Sequence, residues 1–257
     1  MITSPTNAKV KYVRRLQSDR RFRMRENCFV VEGSRWLGDL AAMSHPCQLV
    51  LYTHSWRETE GNNDILQQLG APSQAVSDEV MALMSDTVTP PGVLAVAQIV
   101  TRPFPPTPSF LLILDQITNP GNLGTMLRTA AAAGVEGVLL SPGCVDAYNP
   151  KVVRGSMGAL LRLPVQTADW PQIANVTTKM EVWVATANGE KSYTAVNWQK
   201  PAALIIGNEA NGPGPEAHHI ATGTTAIPMH AATESLNAAT AAAVILFEAA
   251  RQRAAKS

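Results

Sequence analysis

The second half of the chain contains five short runs in which Val, Ile, Leu and Ala fill most positions. They are FLLILDQI (110–117), VEGVLLS (135–141), EVWVATA (181–187), AALIIGNEA (202–210) and TTAIPM (224–229). Helical segments separate several of these runs. Strands that are apolar on both faces are typical of a parallel sheet that is covered by helices on each side. The pattern therefore predicts an α/β domain built on a parallel sheet.

A proline-rich stretch, TRPFPPTPSF, precedes the first of these runs and has four prolines between Pro103 and Pro108. Proline fixes φ and removes a backbone donor, so this stretch cannot be a helix or a central strand. We interpret residues 101–109 as a stiff linker between two domains, at 1–100 and 110–257. A chain of 257 residues is long enough for two modest domains, each with its own core.

Helical and strand patterns also alternate before the linker, and they predict a small α/β layered domain in residues 1–100. Its first 35 residues contain nine basic and three acidic residues, a local net charge of +6, whereas the whole chain has a net charge of +1. A basic segment of this kind is a candidate electrostatic footprint for nucleic acid.

Composition excludes several classes of protein. The chain is 46% hydrophobic and 16% charged, which is typical of a globular protein. No apolar run is long enough to span a bilayer, and the N-terminus has no signal-peptide pattern, so we expect no membrane association. The three cysteines lack C-x-x-C spacing and the five histidines form no H-E-x-x-H pattern. These patterns predict a cytoplasmic protein without a metal site.

The turn after the first apolar run has the sequence NPGNLG (119–124), with glycines at Gly121 and Gly124. A dinucleotide loop needs G-x-G-x-x-G, and a P-loop needs a lysine that is missing here. This turn is therefore not a phosphate loop of either kind. It places Asn122 at the start of a helix and Arg128 about one helical turn after Gly124.

Two more polar turns follow apolar runs, in LIIGNEANGPG (204–214) and IPMHAATESLNAAT (227–240). Ligands bind at the carboxyl ends of strands in open α/β sheets. The three turns together therefore indicate one binding site.

At these turns the chain resembles a known family. The segments NPGNLGTMLRTA (119–130), IIGNEANG (205–212) and IPMHAATESLNAATA (227–241) resemble, in order, motifs 1, 2 and 3 of the SpoU (TrmH-like) RNA 2′-O-methyltransferases of the SPOUT superfamily. The resemblance spans nearly all of residues 110–257. More loosely, ITSPTNAKVKYVRRL and FVVEGSRWL resemble that family's N-terminal substrate-binding domain, a ribosomal-protein-like RNA-binding fold. VVRGSMGALLRLPV (152–165) is similar to a helix segment of the members that act on ribosomal RNA.

The resemblance implies a parallel sheet whose C-terminal segment is threaded into a deep trefoil knot. It also implies S-adenosylmethionine as cofactor, held mostly by backbone groups of three loops. The positions that match the cofactor site are Thr186, Ala187, Asn188, Gly189, Ile206, Gly207, Asn208, Ile227, Met229, Ser235 and Leu236.

The resemblance also implies which residues act on RNA. Asn122 and Arg128 would face the substrate, and Glu209, Ser235 and Asn237 would position RNA and orient Arg128. The family's arginine is proposed to help deprotonate the ribose 2′-hydroxyl. Because a guanidinium stays protonated near pH 7, it could equally hold a phosphate and stabilise the forming alkoxide. Both roles stay open here.

The resemblance further implies a homodimer through residues 110–257, with the alanine-rich last helix in the interface. Ribosomal RNA is the expected substrate, and transfer RNA is the alternative. A non-catalytic RNA-binding relic and base methylation are the competing functions. The candidate RNA-binding residues are Lys9, Lys11, Arg14, Arg15, Arg21, Arg23, Arg25, Arg35 and Arg154.

Overall fold

The computed structural model describes residues 1–230 and 235–255. The chain divides into two compact units. The first comprises Met1–Val100 together with Tyr148–Leu161, and the second comprises Thr101–Ala147 together with the chain from Arg162 onward. The contiguous division drawn from the sequence did not anticipate that Tyr148–Leu161 belongs to the first unit.

Helices and strands alternate along much of the described chain. The helices are α1 (Ala8–Ser18), α2 (Arg20–Glu26), α3 (Ser34–Ala42), α4 (His54–Glu58), α5 (Asn62–Leu69), α6 (Asp78–Met84), α7 (Pro120–Ala132), α8 (Pro150–Ser156), α9 (Ala159–Arg162), α10 (Trp170–Thr177), α11 (Pro215–His219) and α12 (Ala238–Ala254). The strands are β1 (Cys28–Glu32), β2 (Cys47–Tyr52), β3 (Ser73–Ala75), β4 (Val93–Gln98), β5 (Phe110–Leu114), β6 (Gly137–Leu140), β7 (Val165–Thr167), β8 (Glu181–Ala185), β9 (Lys191–Ser192), β10 (Ala202–Ile206) and β11 (Gly223–Ala226).

The first unit is built on a four-stranded sheet in the order β1-β4-β2-β3. β4 is antiparallel to both of its neighbours, and β2 pairs with β3 in parallel. Helix α1 buries Val10, Val13 and Leu16, which recur every three residues and so lie on one face. These three residues share a core with buried residues of α6 and of the sheet.

Helix α8, which comes from the second half of the sequence, packs against β1. Its Val152 and Val153 are buried, and the rings of Phe29 and Tyr148 lie 5.0 Å apart. Apolar burial of this kind stabilises the packing of Tyr148–Leu161 on the first unit. The periodicity of the sequence contains no information on which sheet a helix covers.

The second unit is built on a seven-stranded sheet in the order β7-β6-β5-β10-β8-β11-β9, with every pairing parallel. All residues of β5 and β10 are buried. The predicted α/β fold with a parallel sheet is confirmed. The short strands β7 and β9, at the two edges, were not predicted, because two or three residues carry no measurable pattern. The predicted knot stays a prediction.

The proline-rich segment belongs to the second unit and is packed against it. Phe104 packs on an apolar cluster that contains Leu111 and Leu139. Its ring occupies the space of a missing Cβ at Gly137, which would lie only 2.5 Å from it. At the end of the segment, the backbone N–H of Ser109 donates to Glu136 at 2.7 Å. These contacts make the segment part of the second unit, whereas its composition predicts a stiff linker outside both domains.

None of the helices in residues 1–230 and 235–255 is long and apolar enough to cross a membrane.

Candidate active site

A cavity of about 390 Å³ lies in the second unit where β8, β10 and β11 end. These three strands are parallel neighbours, so their carboxyl ends share one edge of the sheet. The volume is within the range of small-molecule sites, roughly 300–1,000 Å³. The residues predicted for the cofactor that line this cavity are Thr186, Ala187, Ile206, Gly207, Asn208, Ile227, Met229, Ser235 and Leu236.

Two residues predicted for the cofactor, Asn188 and Gly189, do not line the cavity. Gly189 lies against the backbone of β11, where a Cβ would come within 2.3 Å of the carbonyl carbon of Thr225. A glycine at this position therefore allows two backbone segments to approach each other. The structure removes both residues from the cavity wall.

The cavity wall also contains residues that no sequence pattern had indicated. They are Ala185, Asn211, Gly212, Pro213, His218, Thr225, Ala238, Ala241 and Ile245. The last three lie on α12 at a spacing of three and four residues, so helical periodicity could have found them. His218 follows the loop after β10 and is exposed, and no sequence pattern singles it out.

The loop between β10 and α11, residues 207–214, folds tightly on itself. A Cβ at Gly207 would lie 2.2 Å from the backbone nitrogen of Pro213, so only glycine fits. The Oδ1 atom of Asn208 accepts hydrogen bonds from the N–H groups of Ala210 (2.8 Å) and Asn211 (3.3 Å). Its Nδ2 atom donates to the carbonyl of Gln116 at 2.8 Å. The side chain of Asn208 thus shapes the loop.

Three predicted catalytic residues, Asn122, Glu209 and Asn237, form one hydrogen-bonded network. Asn119 caps α7, so the side chain of Asn122 is free to turn away from the helix. The Nδ2 group of Asn122 donates to Oε1 of Glu209, and its Oδ1 accepts from Nδ2 of Asn237 at 3.2 Å. The partners of Asn122 are 87 and 115 residues away along the chain.

This network has a defined direction. The Oδ1 atom of Asn237 accepts from the N–H groups of Ala239 (2.9 Å) and Thr240 (3.3 Å), which caps α12. Its NH₂ group must therefore face Asn122, whose carbonyl oxygen accepts that bond. The NH₂ group of Asn122 in turn faces Glu209. The carboxylate of Glu209, which is exposed at the cavity, is thus held in place as a hydrogen-bond acceptor.

Arg128 does not join this network within one chain. Its side chain is exposed, and among the residues that the structure describes none forms a hydrogen bond or an ion pair with it. It lies six residues after Asn122, which places it on a different face of α7, because each residue turns the helix by about 100°. Ser235 is exposed at the cavity, next to residues 231–234 of motif 3, which lie outside the described residues.

The predicted RNA-binding residues of α1 and α2 are mostly exposed. Asp19 separates the two helices and caps α2 by accepting from the N–H of Phe22 at 3.1 Å. The guanidinium groups of Arg15 and Arg25 lie 4.3 and 4.8 Å from the centre of the Phe22 ring. The exposed basic residues of this corner are Lys9, Lys11, Arg14, Arg15, Arg20, Arg21 and Arg25.

Arg23 is a correction to the predicted RNA-binding set. Its side chain is 3% exposed, and it donates to the carbonyls of Leu16 (2.6 Å) and Gln17 (3.0 Å) at the end of α1. Arg23 therefore closes the corner between the two helices. Arg154 is exposed but forms an ion pair with Asp86 at 2.7 Å. Arg35 is exposed on α3.

Metal and thiol chemistry find no support in the described residues. Within residues 1–230 and 235–255, no group of three His, Cys, Asp or Glu side chains could hold a metal ion. Burial raises the pKa of the Cys47 thiol to about 11, and burial also raises the pKa of the Cys28 and Cys144 thiols. All three are therefore protonated thiols at neutral pH.

Comparisons with known proteins agree with this geometry. Residues 109–247 match the SpoU rRNA Methylase family, and residues 7–95 match the MRM3-like substrate binding domain. An uncharacterized tRNA/rRNA methyltransferase of Synechocystis is 36% identical over 262 residues, which cover 100% of this chain and 95% of that protein. The 23S rRNA (uridine(2479)-2′-O)-methyltransferase of Streptomyces viridochromogenes is 31% identical and covers 96% of this chain and 91% of that protein.

A solved structure is also similar. The SpoU methyltransferase AviRb from Streptomyces viridochromogenes, in complex with the cofactor AdoMet, superposes with a TM-score of 0.88 at 27% identity, over 96% of this chain and 98% of that one. The matched family covers more than half of the chain and contains all three motifs, of which motifs 2 and 3 line the cavity and motif 1 contacts Glu209 through Asn122. The chain therefore belongs to the SpoU rRNA methylase family.

Proposed function

We propose that this protein transfers a methyl group from S-adenosylmethionine to the 2′-hydroxyl of a ribose in ribosomal RNA. The observation that carries the proposal is the cavity at the ends of β8, β10 and β11, with the Asn122–Glu209–Asn237 network beside it. Methyl transfer to a large substrate requires a cavity for the small cofactor and, beside it, polar groups at the surface that can hold the substrate.

The cavity suits the proposed cofactor. Ile206, Ile227, Leu236 and Ile245 contribute apolar side chains, which fit an uncharged adenine ring. The loop at 207–214 contributes Gly207, Asn211 and Gly212 to the wall. When bound, S-adenosylmethionine supplies an activated methyl group, so the protein mainly has to align the reacting groups and exclude water.

The residues of motifs 1, 2 and 3 would hold the ribose. Glu209 presents a carboxylate whose orientation is set by Asn122, and this carboxylate can accept a hydrogen bond from a ribose hydroxyl. Asn237 fixes the orientation of Asn122. Arg128 would act as a fixed positive charge that binds a neighbouring phosphate and stabilises the alkoxide as it forms, since a guanidinium is a poor proton acceptor at neutral pH.

The first unit would supply most of the affinity for RNA. Seven exposed Lys and Arg side chains of α1 and α2 can neutralise several phosphates, and binding of this kind weakens steeply with salt. The match to a substrate binding domain in residues 7–95 supports this assignment. Ribosomal RNA as substrate is supported by the relative from Streptomyces viridochromogenes, a 23S rRNA methyltransferase. A cytoplasmic location is part of the proposal.

A homodimer through the second unit is part of the proposal. Phe247 on α12 is 52% exposed, in a helix whose other face is buried within the subunit. Arg128 lies outside the network of its own chain, so a second copy that brings Arg128 to the cavity would complete the site. Sedimentation at micromolar concentration tests this, because an active monomer of 27.5 kDa would contradict it.

The function is tested by mass spectrometry of nucleosides from ribosomal and transfer RNA of a deletion strain. We expect one 2′-O-methylated nucleoside to disappear from ribosomal RNA and to return with the wild-type gene. Loss of a 2′-O-methylated nucleoside from transfer RNA would identify transfer RNA as the substrate, and loss of a methylated base would identify base methylation as the reaction. No loss from either RNA would favour a non-catalytic role.

Arg128→Ala tests the catalytic assignment in the purified protein. Transfer of tritiated methyl groups to ribosomal RNA should be abolished, while calorimetry should show nearly unchanged affinity for S-adenosylmethionine. Lys179→Ala removes an exposed charge from the same unit and serves as the control. If Arg128→Ala keeps most of the activity, Arg128 is not central to methyl transfer.

A further inference from the structure

Asp115 is a buried carboxylate that immediately follows β5. It is 1% exposed, and it accepts two hydrogen bonds of 2.7 Å. The hydroxyl of Ser141, which follows β6, donates to Oδ1, and the backbone N–H of Gly214 donates to Oδ2. Gly214 is the last residue of the loop at 207–214. The buried carboxylate of Asp115 therefore connects the ends of the neighbouring strands β5 and β6 to the end of the loop that carries Glu209.

The next residue, Gln116, holds the other end of the same loop. Its carbonyl accepts from Nδ2 of Asn208 at 2.8 Å. The loop is thus anchored at both ends by two consecutive residues, Asp115 at Gly214 and Gln116 at Asn208. Glu209 lies between the two anchors and is itself exposed.

Contacts within the loop at 207–214 keep it rigid, so the position of its two ends determines the position of Glu209. The isolated bridge between Asn208 and Gly212 and the close approach of Gly207 to Pro213 leave little room for rearrangement. The chain also runs only seven residues from Asp115 to Asn122, the partner of Glu209. One short segment therefore fixes both sides of the Glu209–Asn122 contact.

We propose that Asp115 is a positioning residue for methyl transfer, which holds the loop at 207–214 so that Glu209 meets Asn122 and the cavity wall keeps its shape. Ser141 orients the carboxylate and also accepts from the N–H of Gln116 at 3.1 Å. Hydrogen bonds to a carboxylate are among the stronger ones, and burial protects them from competition by water. The proposal rests on the proposed function, since it assigns a role in that reaction.

Asparagine at this position can restore the anchor. Its Oδ1 accepts from the N–H of Gly214, and its NH₂ group donates to the hydroxyl oxygen of Ser141. That hydroxyl can then donate to the carbonyl of Pro142, which lies at 3.3 Å. Alanine removes both bonds. Comparison of Asp115→Asn with Asp115→Ala therefore distinguishes the effect of these two hydrogen bonds from the effect of removing a buried side chain.

The experiment measures kcat, the affinity for S-adenosylmethionine and amide hydrogen exchange in the full-length protein. For Asp115→Ala we expect kcat to fall at least about 30-fold, because a misplacement of about 1 Å can cost 100-fold. Exchange should rise in residues 207–214 and stay unchanged in β5 and β10. Asp115→Asn should recover most of the lost kcat. Thr177→Val, which removes another buried hydroxyl bond of this unit, is the control for general destabilisation.

A double-mutant cycle tests whether Asp115 acts through Glu209. In a Glu209→Ala background, Asp115→Ala should reduce kcat by less than about threefold, because the positioned group is already absent. Additive losses in kcat would overturn the proposal. So would wild-type kcat in Asp115→Ala, or faster exchange throughout the second unit in both variants of Asp115.

A failure of the proposed function is distinguishable from a failure of this inference. If the wild-type protein methylates no RNA, the proposed function fails. The positioning of the loop is then judged by exchange and by calorimetry with S-adenosylmethionine alone. Faster exchange confined to residues 207–214, with weaker cofactor binding in Asp115→Ala and recovery in Asp115→Asn, supports it. Unchanged exchange and affinity overturn it.

Discussion

Asn237 stabilises α12 and orients the active-site network with different atoms, so one substitution can separate the two roles. Its Oδ1 caps the helix at Ala239 and Thr240, and its NH₂ group donates to Asn122. Asn237→Asp keeps an oxygen acceptor for the cap but replaces the donor with a second acceptor. We therefore predict that Asn237→Asp retains stability and loses activity.

The size of each effect follows from the two sets of contacts. A lost N-cap costs about 1 kcal/mol, so Asn237→Ala should lower the free energy of unfolding by that amount. Aspartate keeps the cap and is favourable at a helix N-terminus, so Asn237→Asp should stay within about 0.5 kcal/mol of the wild type.

The network has no good arrangement in Asn237→Asp. The carboxylate introduced at position 237 faces the Oδ1 atom of Asn122 unless the Asn122 amide flips, and a flipped amide turns its oxygen toward Glu209. A hydrogen bond to a charged group contributes about 1.5–3 kcal/mol, which corresponds to a roughly 10- to 160-fold lower rate of methyl transfer.

Urea denaturation gives the free energy of unfolding, and single-turnover transfer from tritiated S-adenosylmethionine gives the rate. Calorimetry confirms that the cofactor still binds. A wild-type rate in Asn237→Asp would refute the directed network. Equal losses of stability in the Asp and Ala variants would show that the side chain does not cap α12.

Three further predictions concern residues whose roles the structure separates. Arg23→Ala should lower the free energy of unfolding by about 2 kcal/mol, because a buried and a partly buried carbonyl lose their donor. Arg21→Ala, at an exposed position, should leave stability unchanged and reduce the salt dependence of RNA binding in filter assays. Leu246→Asp, at a fully buried position, should unfold the second unit. Phe247→Asp should fold and shift sedimentation from the proposed dimer to a monomer, and a folded dimer of this variant would exclude this part of α12 from the proposed interface. Hydrogen bonds from Arg251 and Gln252 lower the pKa of Glu248 from 4.5 to about 2, so the stabilisation by this carboxylate is present above pH 4.5 and is lost as the pH falls toward 2. In urea denaturation, Glu248→Gln should therefore lower the free energy of unfolding at pH 7 and not at pH 2, and solvent screening should keep the difference small.

Much of the architecture was predictable from local patterns. The apolar runs that become β5, β6, β8, β10 and β11 are long enough to show that both of their faces are covered. About half of the cavity wall was predictable as well, because those residues follow directly after these runs, whereas the wall residues on α12 come from a helix that the sequence did not place there. Where the pattern was short, as in the edge strands β7 and β9, the prediction failed for lack of signal.

Whether an individual basic side chain is exposed or buried was not predictable. Arg21 and Arg23 are two residues apart in a segment rich in arginine, and yet one is exposed and the other is buried against the end of α1. A helix turns by about 100° per residue, so neighbours of identical type face different surroundings. Asp19, with an extended backbone, ends α1 and caps α2, and the guanidinium of Arg23 reaches back to the carbonyls at the end of α1.

The sequence by itself determined the elements, the polar turns and the residue types of the site, since these depend on neighbours along the chain. Only the tertiary structure decided that Asn122, Glu209 and Asn237 meet, that Arg128 does not join them within one chain, and that Asp115 anchors the loop beside them. It also decided that Tyr148–Leu161 packs on the first unit. The physical reason is that these contacts join residues far apart in the chain, through the order of the parallel strands and the packing of helices on them, and no local pattern encodes that order.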